Sequence, residues 1–291
     1  MPAYGDRVRI DLGELTFDVA TGGPADGRPV LLLHGFPENS RMWDGVAPRL
    51  HAAGLRTFAP DQRGYSPGAR PSEVSAYAVS ELVGDALGLL DGLGLSTVDL
   101  IGHDWGAVVA WHLAGRHPER VRTLTAVSVP HPAAHGWAMR NDERQRELSA
   151  YIGLFRAPDR KAERVLLADG ARRLTAMLAP LPPESVEVFI RPMRQPEALT
   201  AALNWYRAMS RRDADPLGQI RVPTTYVWGA EDLAVGRVAA ERCAQHVTGD
   251  FEFVELPGVS HWVPEQRPDA VAAAALGRIS PDPGARRAAG S

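Results

Sequence analysis

The sequence is short of several features that would assign it to a specialised class of protein. Its 291 residues include a single cysteine, Cys243, which excludes an intrachain disulfide framework. Among its 32 basic residues only Lys161 is a lysine, and the arginines are scattered rather than gathered into a basic block. The formal net charge of −3 therefore gives no electrostatic reason to expect binding to nucleic acid or to an anionic membrane.

Long apolar runs are also absent from the sequence. No segment has the ~20 consecutive apolar residues that a membrane-spanning helix needs, and residues 1–11 lack the apolar stretch of a signal peptide. No cluster of Cys and His indicates a metal site, and no cofactor is implied. The remaining composition, 45% hydrophobic and 23% charged, is typical of a globular protein. We therefore expect a cytoplasmic enzyme, either a monomer or a homodimer.

Short apolar runs that alternate with helical patterns predict the fold class. A hairpin is predicted at residues 8–20, a strand buried on both faces is predicted at residues 29–33, and further strands are predicted at residues 56–59, 121–127, 224–228 and 251–256. Another short apolar run begins at Val98. Amphipathic helices lie between most of them, and this alternation predicts a mostly parallel sheet with helices on both faces. The carboxyl ends of such strands form one edge, where open α/β sheets bind their ligands.

The alternation is interrupted once, after Pro132. Strand patterns disappear there and return only at Val222, and the intervening residues have helical patterns with several prolines. We interpret residues 133–216 as a helical cap inserted into a core made of residues 1–132 and 217–280. The tail at 281–291, rich in Pro, Gly, Ala and Arg, is predicted to be disordered.

One stretch of the sequence has the layout of a nucleophile elbow. An apolar strand ends at Gly102-His103-Asp104-Trp105-Gly106, and an apolar helical pattern follows directly. Flanking glycines allow a sharp turn that presents the residue between them to a substrate. In the commonest elbow this residue is serine, whereas here it is Asp104.

Two further polar turns complete a candidate triad. Nucleophile, acid and histidine follow one another in this order in α/β hydrolases, and Asp104, Asp232 and His261 satisfy it, each just after a predicted strand. Glu231 is a competing candidate for the acid, and Asp232 is preferred because the family resemblance described below favours the Gly-x-x-Asp spacing from Gly229. Aspartate and histidine are also common in ordinary turns, so the geometry of the three side chains has to decide whether they form a triad.

An aspartate nucleophile indicates a particular chemistry. A carboxylate, with an ordinary pKa of about 3.9, is already ionised at neutral pH and needs no base in order to attack. It can displace a leaving group at a saturated carbon, and His261 is then free to activate water against the resulting ester. The backbone N–H groups of Phe36 and Trp105 are the expected oxyanion-hole donors, and both side chains are expected to contact substrate.

These motifs resemble the α/β-hydrolase superfamily and, within it, the soluble epoxide hydrolases. The pieces that carry the resemblance are His34-Gly35-Phe36-Pro37, Asp61-Gln62-Arg63-Gly64, the elbow, the segment 229–232 and the segment 258–261. They span nearly the whole chain except its tail. The resemblance implies the α/β-hydrolase fold with a helical cap and a cis peptide bond at Phe36-Pro37. It also implies hydrolysis of a small, mostly apolar epoxide by water to a vicinal diol.

Residues of the predicted cap distinguish an epoxide hydrolase from a haloalkane dehalogenase, the nearest alternative. Opening an epoxide leaves an alkoxide, and epoxide hydrolases supply two cap tyrosines to it; Tyr151 and Tyr206 lie in segments that look like the family's tyrosine-bearing segments. Both tyrosines also share helical faces with apolar residues, so they could instead pack the cap onto the core.

Two alternatives remain open at the level of sequence. Most of these motifs are shared with haloalkane dehalogenases, in which an indole such as that of Trp105 binds halide. Phe36, however, stands where many such enzymes carry asparagine, and Trp105 stands where fluoroacetate dehalogenases tend to carry arginine. A non-catalytic ligand-binding protein of the same fold is the third interpretation, since fold alone does not determine function.

Overall fold

The central feature of the protein is one eight-stranded sheet. The computed structural model describes residues 4–209 and 217–279. In chain order the strands are β1 (Asp6–Leu12), β2 (Leu15–Gly22), β3 (Arg28–Leu33), β4 (Leu55–Pro60), β5 (Val98–His103), β6 (Val121–Val127), β7 (Thr224–Gly229) and β8 (Phe251–Leu256). Their spatial order is β1-β2-β4-β3-β5-β6-β7-β8. This is the sheet of the α/β-hydrolase fold.

The direction of the strands confirms the predicted mostly parallel sheet. β1 and β2 form the predicted hairpin, and β2 is also antiparallel to β4. All other neighbours, from β4 through β3 to β8, are parallel. Residues 30–33 of β3 form a continuous apolar run because both faces of the sheet are covered there, and they are at most 1% exposed.

The core helices lie on both faces of the sheet. They are α1 (Ala47–Ala52), α2 (Val79–Gly92), α3 (Trp105–Arg116), α10 (Arg237–Glu241), α11 (Val263–Gln266) and α12 (Pro268–Ile279). The chain moves one way across the sheet from β3 to β4 and the other way from β4 to β5. Because both crossovers are right-handed, α1 and α2 must lie on opposite faces. This reversal creates the crevice beside β3 and β5 where ligands bind.

A purely helical segment separates β6 from β7 in the described residues. It contains α4 (Pro132–Asn141), α5 (Glu143–Leu148), α6 (Tyr151–Phe155), α7 (Lys161–Met177), α8 (Pro183–Met193) and α9 (Pro196–Arg207). The indole of Trp205 donates to the carbonyl of Arg63 at 2.9 Å, and the indole of Trp262 donates to the carbonyl of Met177 at 3.0 Å. These bonds tie the helical segment to the core. Residues 210–216 and the tail 281–291 lie outside the described residues.

Some predicted helices are broken in the structure. The helix expected over residues 40–52 is a 3₁₀ turn at Ser40–Asp44 followed by α1, because Pro48 has no N–H to donate to the carbonyl of Asp44. The helix expected over residues 235–247 is α10 followed by a 3₁₀ turn at Arg242–His246. Within residues 4–209 and 217–279, no helix has the length and apolar character needed to cross a membrane.

Candidate active site

The three predicted triad residues meet at the carboxyl edge of the sheet. Asp104 directly follows β5, Asp232 follows β7 and His261 follows β8. His261 Nδ1 lies 2.8 Å from Asp232 Oδ2, and its Nε2 lies 3.4 Å from Asp104 Oδ2. All three side chains are buried, with residue exposures of 6–8%. The structure therefore places one imidazole between the two carboxylates that the sequence had separated by 128 positions.

The turn that carries Asp104 has the backbone of a nucleophile elbow. Asp104 has a φ of 51° and a ψ of −120°, a conformation that side chains rarely adopt and that costs of order 1–3 kcal/mol. A Cβ on Gly106 would collide with the carbonyl of Leu33, and one on Gly102 would collide with the carbonyl of Gly106. Only glycine at these two positions lets β3, β5 and α3 approach closely enough to hold the turn.

The two oxygens of Asp104 have different surroundings. Oδ1 accepts a hydrogen bond from the backbone N–H of Phe36 at 2.8 Å, while Oδ2 faces His261. Trp105 is the first residue of α3, where a backbone N–H has no acceptor within its own helix. Oδ1 thus contacts one of the two predicted oxyanion-hole donors, and Oδ2 lies on the side of His261. Gly35 makes this possible, because a Cβ there would collide with Asp104.

Electrostatic interactions stabilise the charged forms of Asp104 and His261. Burial alone would raise the pKa of Asp104, but the hydrogen bond and charge of His261 and the Phe36 N–H hold it below its ordinary value. Burial likewise lowers the pKa of His261, yet the carboxylates of Asp232 and Asp104 raise it well above its ordinary value. Asp104 is therefore ionised in the resting protein, as a nucleophile must be.

The acid of the triad is distinguished from its neighbour by its hydrogen bonds. Asp232 Oδ1 accepts from the N–H groups of Ala234 and Val235, at 2.7 and 3.0 Å, which leaves Oδ2 for His261. Glu231 is exposed. The geometry supports the preferred Asp232 over the competing Glu231.

Both predicted tyrosines face the nucleophile from the helical segment. The Tyr151 and Tyr206 rings lie 6.3 Å apart at an interplanar angle of 76°. Burial raises the pKa of each well above the ordinary value, and the negative charge of Asp104 raises it further. Both side chains are therefore neutral hydrogen-bond donors at neutral pH. Phe36 and Phe155 pack against Tyr206, with ring centroids 5.5 and 4.9 Å away, and make the wall apolar.

Trp105 packs against the same tyrosine. Its ring lies 5.2 Å from that of Tyr206 at an interplanar angle of 89°. The peptide bond between Phe36 and Pro37 is cis, which confirms the expectation from the resemblance.

Sequence reasoning missed a polar cluster behind the triad. Glu38 and His103 are fully buried, and His103 Nε2 lies 2.9 Å from the carbonyl oxygen of His261. Ser128 Oγ donates to the same carbonyl at 2.7 Å. Glu38 and His103 lie within motifs that were recognised, but nothing in the local pattern indicates that they face each other.

Comparison with known proteins places this site in a family. The sequence profile of the alpha/beta hydrolase fold matches residues 28–268. Epoxide hydrolase A of Mycobacterium tuberculosis is 31% identical over 310 aligned residues, which cover 92% of this chain and 95% of that protein. The chain belongs to the epoxide hydrolase family of the α/β-hydrolase superfamily. Another relative is the AB hydrolase superfamily protein YfhM of Bacillus subtilis, 35% identical over 90% of this chain and 93% of its own length.

Solved structures agree with this membership. A structure described as a novel epoxide hydrolase of the alpha/beta hydrolases superfamily, from metagenomes of hot environments, superposes with a TM-score of 0.84. It is 30% identical and covers 95% of this chain and 99% of its own. Epoxide hydrolase A of Mycobacterium thermoresistibile gives a TM-score of 0.83 at 28% identity, covering 94% of this chain and 98% of its own.

Proposed function

We propose that this epoxide hydrolase family member opens a small, mostly apolar epoxide and hydrolyses the product ester to a vicinal diol. The observation that carries the proposal is the pair of neutral tyrosine hydroxyls facing an ionised aspartate nucleophile. Oδ2 of Asp104 attacks an oxirane carbon and forms an ester, while the C–O bond of the ring breaks. Tyr151 and Tyr206 hydrogen-bond to the departing oxygen, and one of them donates its proton, so that this oxygen becomes a hydroxyl and the tyrosine becomes a tyrosinate.

Ester formation prepares the second step. Once Asp104 is esterified it has no charge, so one of the two carboxylates that raise the pKa of His261 is removed. His261 then deprotonates more readily and takes a proton from a water that attacks the ester carbonyl carbon. Asp232 stabilises the imidazolium that forms.

The oxyanion hole acts in the same step. When water adds to the ester, negative charge develops on Oδ1, which already accepts the N–H of Phe36. The N–H of Trp105 is the second donor, and both are in place before the charge appears. Collapse of this intermediate breaks the bond between the ester carbon and the alkyl oxygen, and that oxygen takes the proton of the His261 imidazolium to release the diol. The acid left on Asp104 returns its proton to the tyrosinate, which restores the carboxylate and the neutral tyrosine.

The dehalogenase alternative is less well supported. A halide leaving group needs N–H donors, and Phe36, which stands where many dehalogenases carry asparagine, offers no side-chain donor. An alkoxide leaving group needs hydroxyl donors, which the site provides. A binding protein without activity would have no use for the strained backbone of Asp104.

The domain boundaries are part of this proposal. We propose that residues 133–216 form the cap, that residues 1–132 and 217–280 form the core, and that the cap supplies the tyrosines while the core supplies the triad. The contacts between Trp205 and Arg63 and between Trp262 and Met177 support a fixed placement of the described cap helices over the triad.

Trapping the ester tests the proposed chemistry. His261→Gln removes the base of the second step but leaves Asp104 able to attack. The variant is incubated with an epoxide and with a haloalkane of the same carbon skeleton, and the intact protein is weighed. We expect an adduct of the full mass of the epoxide and none from the haloalkane. The double variant Asp104→Ala/His261→Gln is the matched control and should form no adduct.

The alternatives predict other masses. An adduct formed only from the haloalkane, at the mass of the alkyl group, would assign the protein as a dehalogenase. If a broad panel of epoxides and haloalkanes leaves no adduct and the wild type turns none of them over, the protein is a binding member of the fold.

A further inference from the structure

One buried amide of the helical segment binds the loop that carries the triad acid. Gln145 is the only buried residue of α5, and it is 0% exposed. Its Oε1 accepts from the backbone N–H of Gly236 at 2.9 Å, and its Nε2 donates to the backbone carbonyl of Ala234 at 2.8 Å. Both partners belong to the acid loop, residues 232–236, which connects Asp232 to α10. The mechanism proposed for the triad and the tyrosines assigns no role to this side chain.

The partners of Gln145 fix the orientation of its amide group. The backbone N–H of Gly236 can only donate, so it must face Oε1, and the carbonyl of Ala234 can only accept, so it must face the NH₂ group. The second N–H of this group donates to Ser149 Oγ at 3.0 Å. The amide oxygen and both N–H donors are therefore bonded, as the burial of an amide requires.

The acid loop is held from two sides. Asp232 Oδ1 accepts from the N–H groups of Ala234 and Val235, while the carbonyl of the same Ala234 accepts from Gln145. Asp232 Oδ2 lies 2.8 Å from His261 Nδ1. Because Oδ1 is bound to the loop, the position of the loop sets the direction in which Oδ2 points.

Filling the space of Gln145 is not sufficient to hold this loop. An apolar side chain of the same volume would pack at the position but would leave the carbonyl of Ala234 and the N–H of Gly236 without their partners. Unpaired groups of this kind are costly in a buried place, so the loop would move to regain hydrogen bonds. Asp232 would move with it, because its Oδ1 is bound to the loop.

We infer that Gln145 is a positioning residue that holds Asp232 in line with His261 for ester hydrolysis. It acts through the acid loop and contacts neither the substrate nor the reacting atoms. In the proposed division of the chain Gln145 belongs to the cap, so the cap completes the triad as well as supplying the tyrosines. The inference rests on the proposed function for the step that it affects, whereas the pairing of Asp232 with His261 can be measured without substrate.

The pairing has an electrostatic readout. Burial lowers the pKa of His261, and the carboxylates of Asp232 and Asp104 raise it well above its ordinary value. The titratable groups that face this imidazole are Asp232, Asp104, His103 and Glu38. The hydrogen bonds of the Gln145 side chain, within the part of the chain that the structure describes, go to the acid loop and Ser149. Loss of Gln145 should therefore act on His261 through Asp232, and a more distant Asp232 should lower the pKa of His261.

Four variants separate the hydrogen bonds to the loop from packing. Gln145→Met removes all three bonds of the amide and keeps a side chain of similar volume. Gln145→Asn keeps an amide but is one methylene shorter, so it cannot reach both groups of the loop, and it replaces the methionine variant if that one does not fold. Ser149→Ala removes only the third bond and leaves the two bonds to the loop. Gln245→Met makes the same change at an exposed glutamine.

NMR titration of the free protein tests the inference without turnover. The imidazole signals are followed in long-range ¹H–¹⁵N spectra, and His261→Gln identifies the signal of His261 by its disappearance. We expect the pKa of His261 to fall by about one unit in Gln145→Met, to fall in Gln145→Asn, and to stay unchanged in Ser149→Ala and Gln245→Met. An unchanged pKa in the Gln145 variants, or an equal shift in Ser149→Ala, would overturn the inference whether or not the protein hydrolyses epoxides.

Single-turnover kinetics locates the effect within the proposed reaction. Gln145→Met should slow hydrolysis of the ester by about tenfold and epoxide opening by less than about threefold, because only hydrolysis uses the base. The rise of the hydrolysis rate with pH should begin at a lower pH than in the wild type. An equal loss in both steps would mean that the cap is displaced as a whole, and the positioning role would be wrong. If the wild type turns over no epoxide, the proposed function fails, while the titration still decides the role of Gln145.

Discussion

Asp232→Asn should stop ester hydrolysis while leaving epoxide opening intact. Oδ1 of Asp232 accepts from two backbone N–H groups, and Oδ2 accepts from His261 Nδ1. An asparagine must keep its oxygen at the Oδ1 position, because turning its NH₂ group there would leave two N–H donors unpaired at about 1–3 kcal/mol each. Its NH₂ group then faces Nδ1, which has to become an acceptor. The only proton of the neutral imidazole moves to Nε2, and His261 has no lone pair there to accept a proton from water.

The size of the effect follows from this tautomer. A triad histidine held in the wrong tautomer by the same substitution loses about 10⁴ in rate, or about 5 kcal/mol of transition-state stabilisation. Epoxide opening needs only the Asp104 carboxylate and the tyrosines, so its rate should change by less than about tenfold. The ester should therefore accumulate.

Pre-steady-state kinetics and intact-mass measurement check this prediction together. The variant should show a burst of one epoxide consumed per protein molecule, an adduct in the mass spectrum, and almost no diol. Glu231→Gln, which changes the exposed neighbour, should behave as the wild type. Equal slowing of both steps in Asp232→Asn, or continued hydrolysis of the ester, would refute the assigned roles of Asp232 and His261.

Three further predictions follow from the site. In steady-state assays, Tyr206→Phe should slow epoxide opening by about 10²-fold but leave hydrolysis of an activated ester unchanged. An equal loss of rate on both substrates would mean that Tyr206 is structural. The pKa of Asp104 is lowered and that of His261 is raised, so at about pH 5 the nucleophile is still ionised but the base is protonated. The wild type should therefore accumulate the ester at about pH 5 but not at about pH 8, as detected by intact-mass measurement. Absence of the ester at both pH values would contradict the two-step scheme. Gly106→Ala should lower the Tm by roughly 10 °C in calorimetry, because the added Cβ would collide with backbone atoms. Gly153→Ala is the control and should leave the Tm unchanged, because no atom lies within 4 Å of the position of its Cβ. Equal Tm values for the two variants would contradict the packing argument.

Strands and triad residues were accessible to sequence reasoning because their signals are local. Residues 30–33 of β3 are buried and form an unbroken apolar run, and each triad residue lies in a turn just after a strand. Breaks within the helices were harder to predict from the sequence. α7 contains a break at residues 168–171 with three consecutive left-handed residues, which the helical pattern does not indicate. The boundaries of the cap stay a prediction.

The sequence by itself determined the chemistry of the nucleophile. An ionised carboxylate between Gly102 and Gly106 at a strand end needs no base to attack. Only the tertiary structure decided the rest, because those roles depend on groups that are distant in the chain. It directed Oδ1 of Asp104 to the Phe36 N–H, brought Tyr151 and Tyr206 to face the carboxylate, and placed the buried Glu38 and His103 behind His261. Burial and partner geometry set those protonation states, and neither is encoded in any single stretch of residues.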